Sequence, residues 1–357
     1  MESRIRERLR DLADEAPRGG PLPPDVRRRA RRRVGVTLVA GTVAVAAAAL
    51  GVTEGIRVLA RREARPAQQP NAPVFDRVRG WIAVGGAGIV AVDPADPTNR
   101  VELTGEPDTV DQPLVWSRDG STLLFLRDSG EDGTNLAVLH ADGSVVRLTS
   151  GGGVIGGSLS PDGGQAVFAR ITAPEEGEPA DSLFLVPTTG GTPREIETGG
   201  EEPAFSYPAW APNGDQIVYF GVFRDGPDNA PGLARTDADG TGDGFLVGDL
   251  ILDVVEGGTA GLSWSPDGSR LAFAGTTEGG YRAIYVVRAD GAGLTEVVGG
   301  ADADYAWPTW SPDGSRIAVL TRGRLMTMNP DGTDRRDVGP ADWRIAWNPL
   351  APSGPMP

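Results

Sequence analysis

The chain has 357 residues, 39% of them apolar and 6% aromatic, which is enough to bury a sizeable core and excludes a disordered protein. Its 51 Gly and 30 Pro favour a turn-dense all-β body over helices, with no Gly-X-Y period to suggest collagen, and the lack of cysteine excludes disulfides, iron–sulfur clusters and cysteine nucleophiles. The net charge of −15 conceals an asymmetry: residues 1–74 carry 15 Arg against 8 acids, residues 75–357 carry 19 Arg against 41, and the two parts are expected to face different surroundings.

Residues 1–33 form a basic tail ending in Arg27, Arg28, Arg29, Arg31, Arg32 and Arg33. Residues 34–53, including VGVTLVAGTVAVAAAALGV, carry no charge and are long enough to cross a hydrocarbon core of about 30 Å. They are predicted to form one transmembrane helix. The positive-inside bias puts the tail in the cytoplasm and the acidic body on the extracytoplasmic side of the cell membrane. The same stretch also fits a cleaved export signal, since AVAAAA offers small residues to a peptidase; on either reading the body is exported. Beside a span the Arg run reads as a topology signal, so no nucleic-acid partner is expected. Residues 54–75, with Pro66, Pro70 and Pro73, read as an extended linker.

Beyond the linker one motif recurs: WSRDG at Trp116, LSPDG at Leu159, WAPNG at Trp210, WSPDG at Trp264 and Trp310, and WNPL at Trp347. The intervals are 43, 51, 54, 46 and 37 residues, the range of propellers and solenoids. Within 262–298 the order is strand (LSW), turn (SPDG), strand (RLAFAG), strand (AIYVVR), turn (ADGAG) and strand (LTEVV), which makes one four-stranded blade. The strand after each SPDG is almost continuously apolar, as required where both sheet faces are covered. The first segment, GWIAVGGAGIVAVD then RVELT, supplies three strands, and the C-terminal RIAWNP supplies the missing one. Joining them predicts an all-β, closed six-bladed β-propeller over 76–350, followed by a disordered tail at 351–357. Ser-Pro-Asp-Gly itself reads as turn geometry, because Arg118, Asn213 and Ala211 replace its members where a catalytic pair could not tolerate them.

These residues resemble the TolB-type propeller family, whose repeat is matched by Trp264-Ser-Pro-Asp-Gly268, Ala272-Phe273, Ile284-Tyr285-Val286, Asp290-Gly291 and Arg147-Leu148-Thr149. The resemblance covers all six units. It implies a WD40-like repeat scaffold that engages an envelope protein or peptide at one mouth of its channel. Between the predicted span and the first blade only a linker is expected, without the separate N-terminal domain of TolB.

Chemistry is sparse. A Ser-His-Asp hydrolase needs a usable histidine, and the only one, His140, falls where other blades carry Arg288 or Asn329. No Gly-x-Ser-x-Gly elbow is present, so no enzyme is expected. Carboxylates remain in the loops entering the first strands: Asp108, Asp111, Glu201, Glu202, Asp253, Glu256, Asp302, Asp304 and Asp342. These loops are expected to ring one mouth of the channel, where acids could steer a basic peptide. No cofactor is expected, and Ca²⁺ is the ion such an oxygen-rich ring would suit. The expected role is a membrane-anchored, monomeric, non-catalytic binding module. Its rival is a Ca²⁺-dependent carbohydrate-active or lactonase-type enzyme, which requires acids converging on one pocket.

Overall fold

The structure, a computed structural model, describes residues 74–172, 180–196, 202–203, 207–222, 231–241, 244–247, 261–277, 280–300, 304–341 and 343–350. The predicted tail, span, most of the linker and the C-terminal tail lie outside them. Among the described residues no helix is long and apolar enough to cross a membrane.

Six antiparallel sheets make up the body. In blade five the strands are Leu262–Trp264, Arg270–Thr276, Arg282–Arg288 and Thr295–Val298, in that order from inside to outside, as the sequence predicts. The inner strands of blades two, three and six are Val110–Trp116, Val154–Leu159 and Tyr305–Trp310. Blade four has an inner strand in two pieces, Glu202–Pro203 and Ala209–Trp210, and a register shift between Leu233 and Ala234. Its outer segment, GTGDGFLVGDL, departs from the repeat pattern in the sequence. Blade one is closed by both ends of the body: Ile345–Trp347 pairs with Ile82–Val84, with Ala346 opposite Ala83. The predicted closure is therefore the observed one.

The core is split into six apolar clusters, each shared by two neighbouring blades. This explains the unbroken apolar strands. In Thr122–Asp128 the first five residues, Thr122 to Leu126, are buried, because a neighbouring blade covers each sheet face. The repeated tryptophans stand at these interfaces. Trp264 donates its indole N–H to the Ala209 carbonyl of the preceding blade (3.3 Å), and Trp310 donates to Ser263 (3.1 Å). Leu159 fills the same place without a polar contact, which shows that apolar volume is the main requirement. Phe75, assigned to the linker from the sequence, is buried edge-on against Trp116, with ring centroids 4.6 Å apart.

The Ser-Pro-Asp-Gly segment is a self-bonded turn. Ser265 donates to Asp267 Oδ1 (2.6 Å), which also accepts the Ser269 N–H (3.0 Å), while Ser265 Oγ accepts the Arg270 N–H (2.9 Å). Gly268 closes the turn at φ 69°, a left-handed conformation that glycine takes without steric cost. The same bonds recur at Ser311 and Asp313. The serine and aspartate of the repeat are thus consumed by geometry.

Candidate functional site

The six inner strands enclose a channel cavity of about 370 Å³, lined from every blade. Counting three residues back from each blade tryptophan, or from Leu159 in blade three, gives Arg344, Pro113, Gly156, Tyr207, Gly261 and Trp307 in ring order. All six line the cavity, so one repeat position forms one layer of the channel. Two residues of this layer are aromatic, and each faces a glycine of the preceding blade in the layer. A Cβ on Gly156 would lie 2.8 Å from the Tyr207 ring, and one on Gly261 would lie 3.0 Å from the Trp307 ring. The two rings meet edge to face, 5.4 Å between centroids.

The backbone bends to aim these groups. The inner strand of blade six shifts register between Ala306 and Thr309, and Trp307 within that bulge has φ 52°. A bulky residue in the left-handed region costs on the order of 1–3 kcal/mol and persists only where its surroundings hold it there. Bulges at Pro113/Val115 and Val154/Gly156 distort two more inner strands at the same level.

Arg344 completes the layer. It is 8% exposed, and its Nη2 donates to the Ile155 carbonyl (2.7 Å) of blade three. Its guanidinium carbon lies 4.1 Å from the Trp307 ring centroid and 5.3 Å from that of Tyr207, within the range of cation–π attraction. Nε and Nη1 are buried without a hydrogen-bond partner. Burial pushes the guanidinium down to about 10, so it remains charged at neutral pH. Arg118, near the opposite end of the inner strands, is the other charged residue of the lining; no Asp or Glu lines the cavity among the described residues. Between the two, Ser158, Ser263 and Thr309 accept backbone N–H groups from Trp210, Trp310 and Trp347 at 3.2–3.4 Å.

Four of the predicted acids, Asp108, Asp111, Glu202 and Asp304, lie among the described residues. Asp108 is exposed in a turn at φ 62°. Asp111 is fully buried rather than at the mouth: Arg127 donates to it through Nε and Nη2 (both 2.8 Å), and Thr104 donates at 2.6 Å. Burial alone would lower the Arg127 pKa, but its bonds and charge contacts with Asp111 and Glu106 reverse this and leave it raised. Asp304 is exposed and forms an ion pair with Arg282 (3.4 Å). The Glu202 backbone pairs with Val222 in blade four. Glu201, Asp253, Glu256, Asp302 and Asp342 lie outside the described residues. Among the described residues no cluster of three or more His, Asp or Glu could hold a metal ion. His140 ends a strand with Nδ1 3.3 Å from Thr122 Oγ1.

Arg344, Tyr207 and Trp307 were not among the residues singled out from the sequence. The missed signal is the position three before each tryptophan, which holds Tyr, Trp and Arg in three blades and Gly or Pro in the others.

No protein-family profile and no curated protein matches the chain. Among solved structures it is similar to TolB from Acinetobacter baumannii, at 17% identity and a TM-score of 0.59 over 75% of this chain and 66% of that one, just under two thirds of its length. It is similar to a putative TolB from Agrobacterium tumefaciens at 21% identity and a TM-score of 0.53, over 76% of this chain and 99% of that one. A chain of a nidogen/laminin complex matches at 13% identity and a TM-score of 0.58, over 75% and 97% of the two chains. Identities this low carry the fold and nothing further. The body of this chain is a TolB-like, six-bladed β-propeller.

Proposed function

We propose that the protein is a membrane-anchored, extracytoplasmic binding module that engages a protein, peptide or smaller ligand at its channel mouth and catalyses no reaction. The observation that carries this reading is the channel itself: a cavity of about 370 Å³ reached by side chains of all six blades, with a strained aromatic and a buried charge at one level. The uncharged run at 34–53 and the Arg residues before it support the anchoring and orientation. The nidogen/laminin structure is of a protein–protein complex, which supports a propeller of this kind as a recognition surface. The acids that an enzyme reading needs include one locked in an ion pair and two exposed to solvent, and this favours binding over catalysis.

The test is affinity capture from the native envelope by the full chain and by Leu114→Trp, which places an indole in the channel. Species retained by the native chain and lost with the variant support the proposal. Equal retention by both overturns the channel as the binding site.

A further inference from the structure

An isolated buried guanidinium is costly, because its hydration is lost and nothing of opposite charge replaces it. Arg344 stands in that position. One of its donors reaches the Ile155 carbonyl, Nε and Nη1 have no hydrogen-bond partner, and among the described residues its charge is met by the faces of Trp307 and Tyr207 alone. Such a group is retained at a cost to stability when a ligand supplies the missing partner.

The surroundings specify that partner. No Asp or Glu lines the cavity among the described residues, although residues 75–357 carry 41 acids against 19 Arg. The hydroxyls of Ser158, Ser263 and Thr309 each accept one backbone N–H, which leaves their own protons to be donated into the channel. The channel therefore offers a cation and hydroxyl donors beside aromatic and aliphatic walls. This is the complement of an anion attached to an apolar group, and the planar guanidinium fork matches a carboxylate.

We propose that Arg344 is the receptor for a carboxylate entering the channel: without ligand it is latched across the channel onto Ile155, and on binding it turns from its aromatic seat to pair with the carboxylate. This rests on the reading of the channel as the binding site and names its ligand class. The turn is required because Nε and Nη1 are covered in the latched position. It exchanges one bond to a neutral carbonyl for a fork of two bonds to an anion, in which both partners are charged. Because the guanidinium leaves the face of Trp307, binding carries a fluorescence signature.

The full chain is titrated with acetyl-Ala-Ala-Phe bearing a free C-terminal carboxylate, with its C-terminal amide, and with benzoate, reading calorimetry and tryptophan fluorescence. A carboxylate ligand is expected to bind with a fluorescence change that Trp307→Phe reduces. The amide is expected to bind roughly tenfold or more weakly, the usual loss of a charged hydrogen bond. Arg344→Met is expected to abolish the difference between acid and amide while its Tm stays at or above that of the native chain, because an unmatched buried charge has been removed. Binding of the peptide acid without benzoate assigns the carboxylate to a chain terminus, and benzoate binding assigns it to a small molecule; both support the proposal. Three results overturn it: equal binding of acid and amide, no binding of either carboxylate, or a lowered Tm in Arg344→Met with acid binding intact, which makes Arg344 a structural tie. Each of these leaves the channel reading standing or falling on the Leu114→Trp capture.

Discussion

Asp111 and Arg344 invert what charge alone suggests. The sequence marks Asp111 as one acid among several near a channel mouth, yet it is fully buried and bound by Arg127 and Thr104. Its role is to tie the start of blade two to its neighbour, where Gly86 and Asp111 exchange backbone bonds at 3.0 and 2.9 Å. Removing one partner of a buried pair strands the other, so Asp111→Ala is expected to destabilise the protein by about 3 kcal/mol in urea unfolding at neutral pH. Adding Arg127→Met should recover part of that loss. A loss below about 0.5 kcal/mol would show that the pair behaves as a surface one. Arg344 was illegible for the opposite reason. Nothing in ADWRIAW distinguishes it from the other Arg residues of the body. Its meaning arises only when Trp307, Tyr207 and the Ile155 carbonyl, distant in the chain, converge on it.

At the scale of the element, the blade was largely legible, because each part of it follows from local chemistry. Turn residues at fixed offsets and apolar runs between them give the four strands of blade five at nearly their observed limits. The bulges of the inner strands were not legible, since a register shift depends on the facing strand and leaves no compositional mark. The turns also set the response to acid. Asp267 is held at about 2, below its ordinary 3.8, first by the hydroxyl of Ser265 and then by the backbone and side chain of Ser269. Its folded value is depressed, so its contribution is fully present above about pH 4 and is lost as pH falls from there through about 2. Ser311 and Ser315 bond Asp313 in the same way and hold it below its ordinary value against a burial effect that alone would raise it. Ser265→Ala is expected to return Asp267 toward 3.8 in a carbon-detected NMR titration and to move acid unfolding to higher pH. An unchanged Asp267 would remove the turn bond from the explanation.

At the scale of the whole molecule, closure was predictable because an open ring would leave two sheet edges, and the sequence holds one strand too few at its start and one too many at its end. Trp347 secures that join: it is buried, and its indole N–H donates to the Gly80 carbonyl (2.7 Å). Trp347→Ala is expected to cost about 3–5 kcal/mol through lost packing in a cooperative urea transition. A loss under about 1 kcal/mol would mean that the ring is not held by this seam. The closed ring also creates what no single blade holds, a channel whose layers are written one residue per blade. The charge excess of the body suggested an acidic ring at its mouth; of those acids Asp111 and Asp304 are held in ion pairs and Asp108 is exposed, while the channel keeps its guanidinium. The most direct measurement of the account is site-specific photocrosslinking in native envelopes, with benzoylphenylalanine placed at Leu262 in the channel or at exposed Val145 on an outer strand. The account predicts that partner adducts form from position 262 and not from 145; adducts from 145 alone would contradict it.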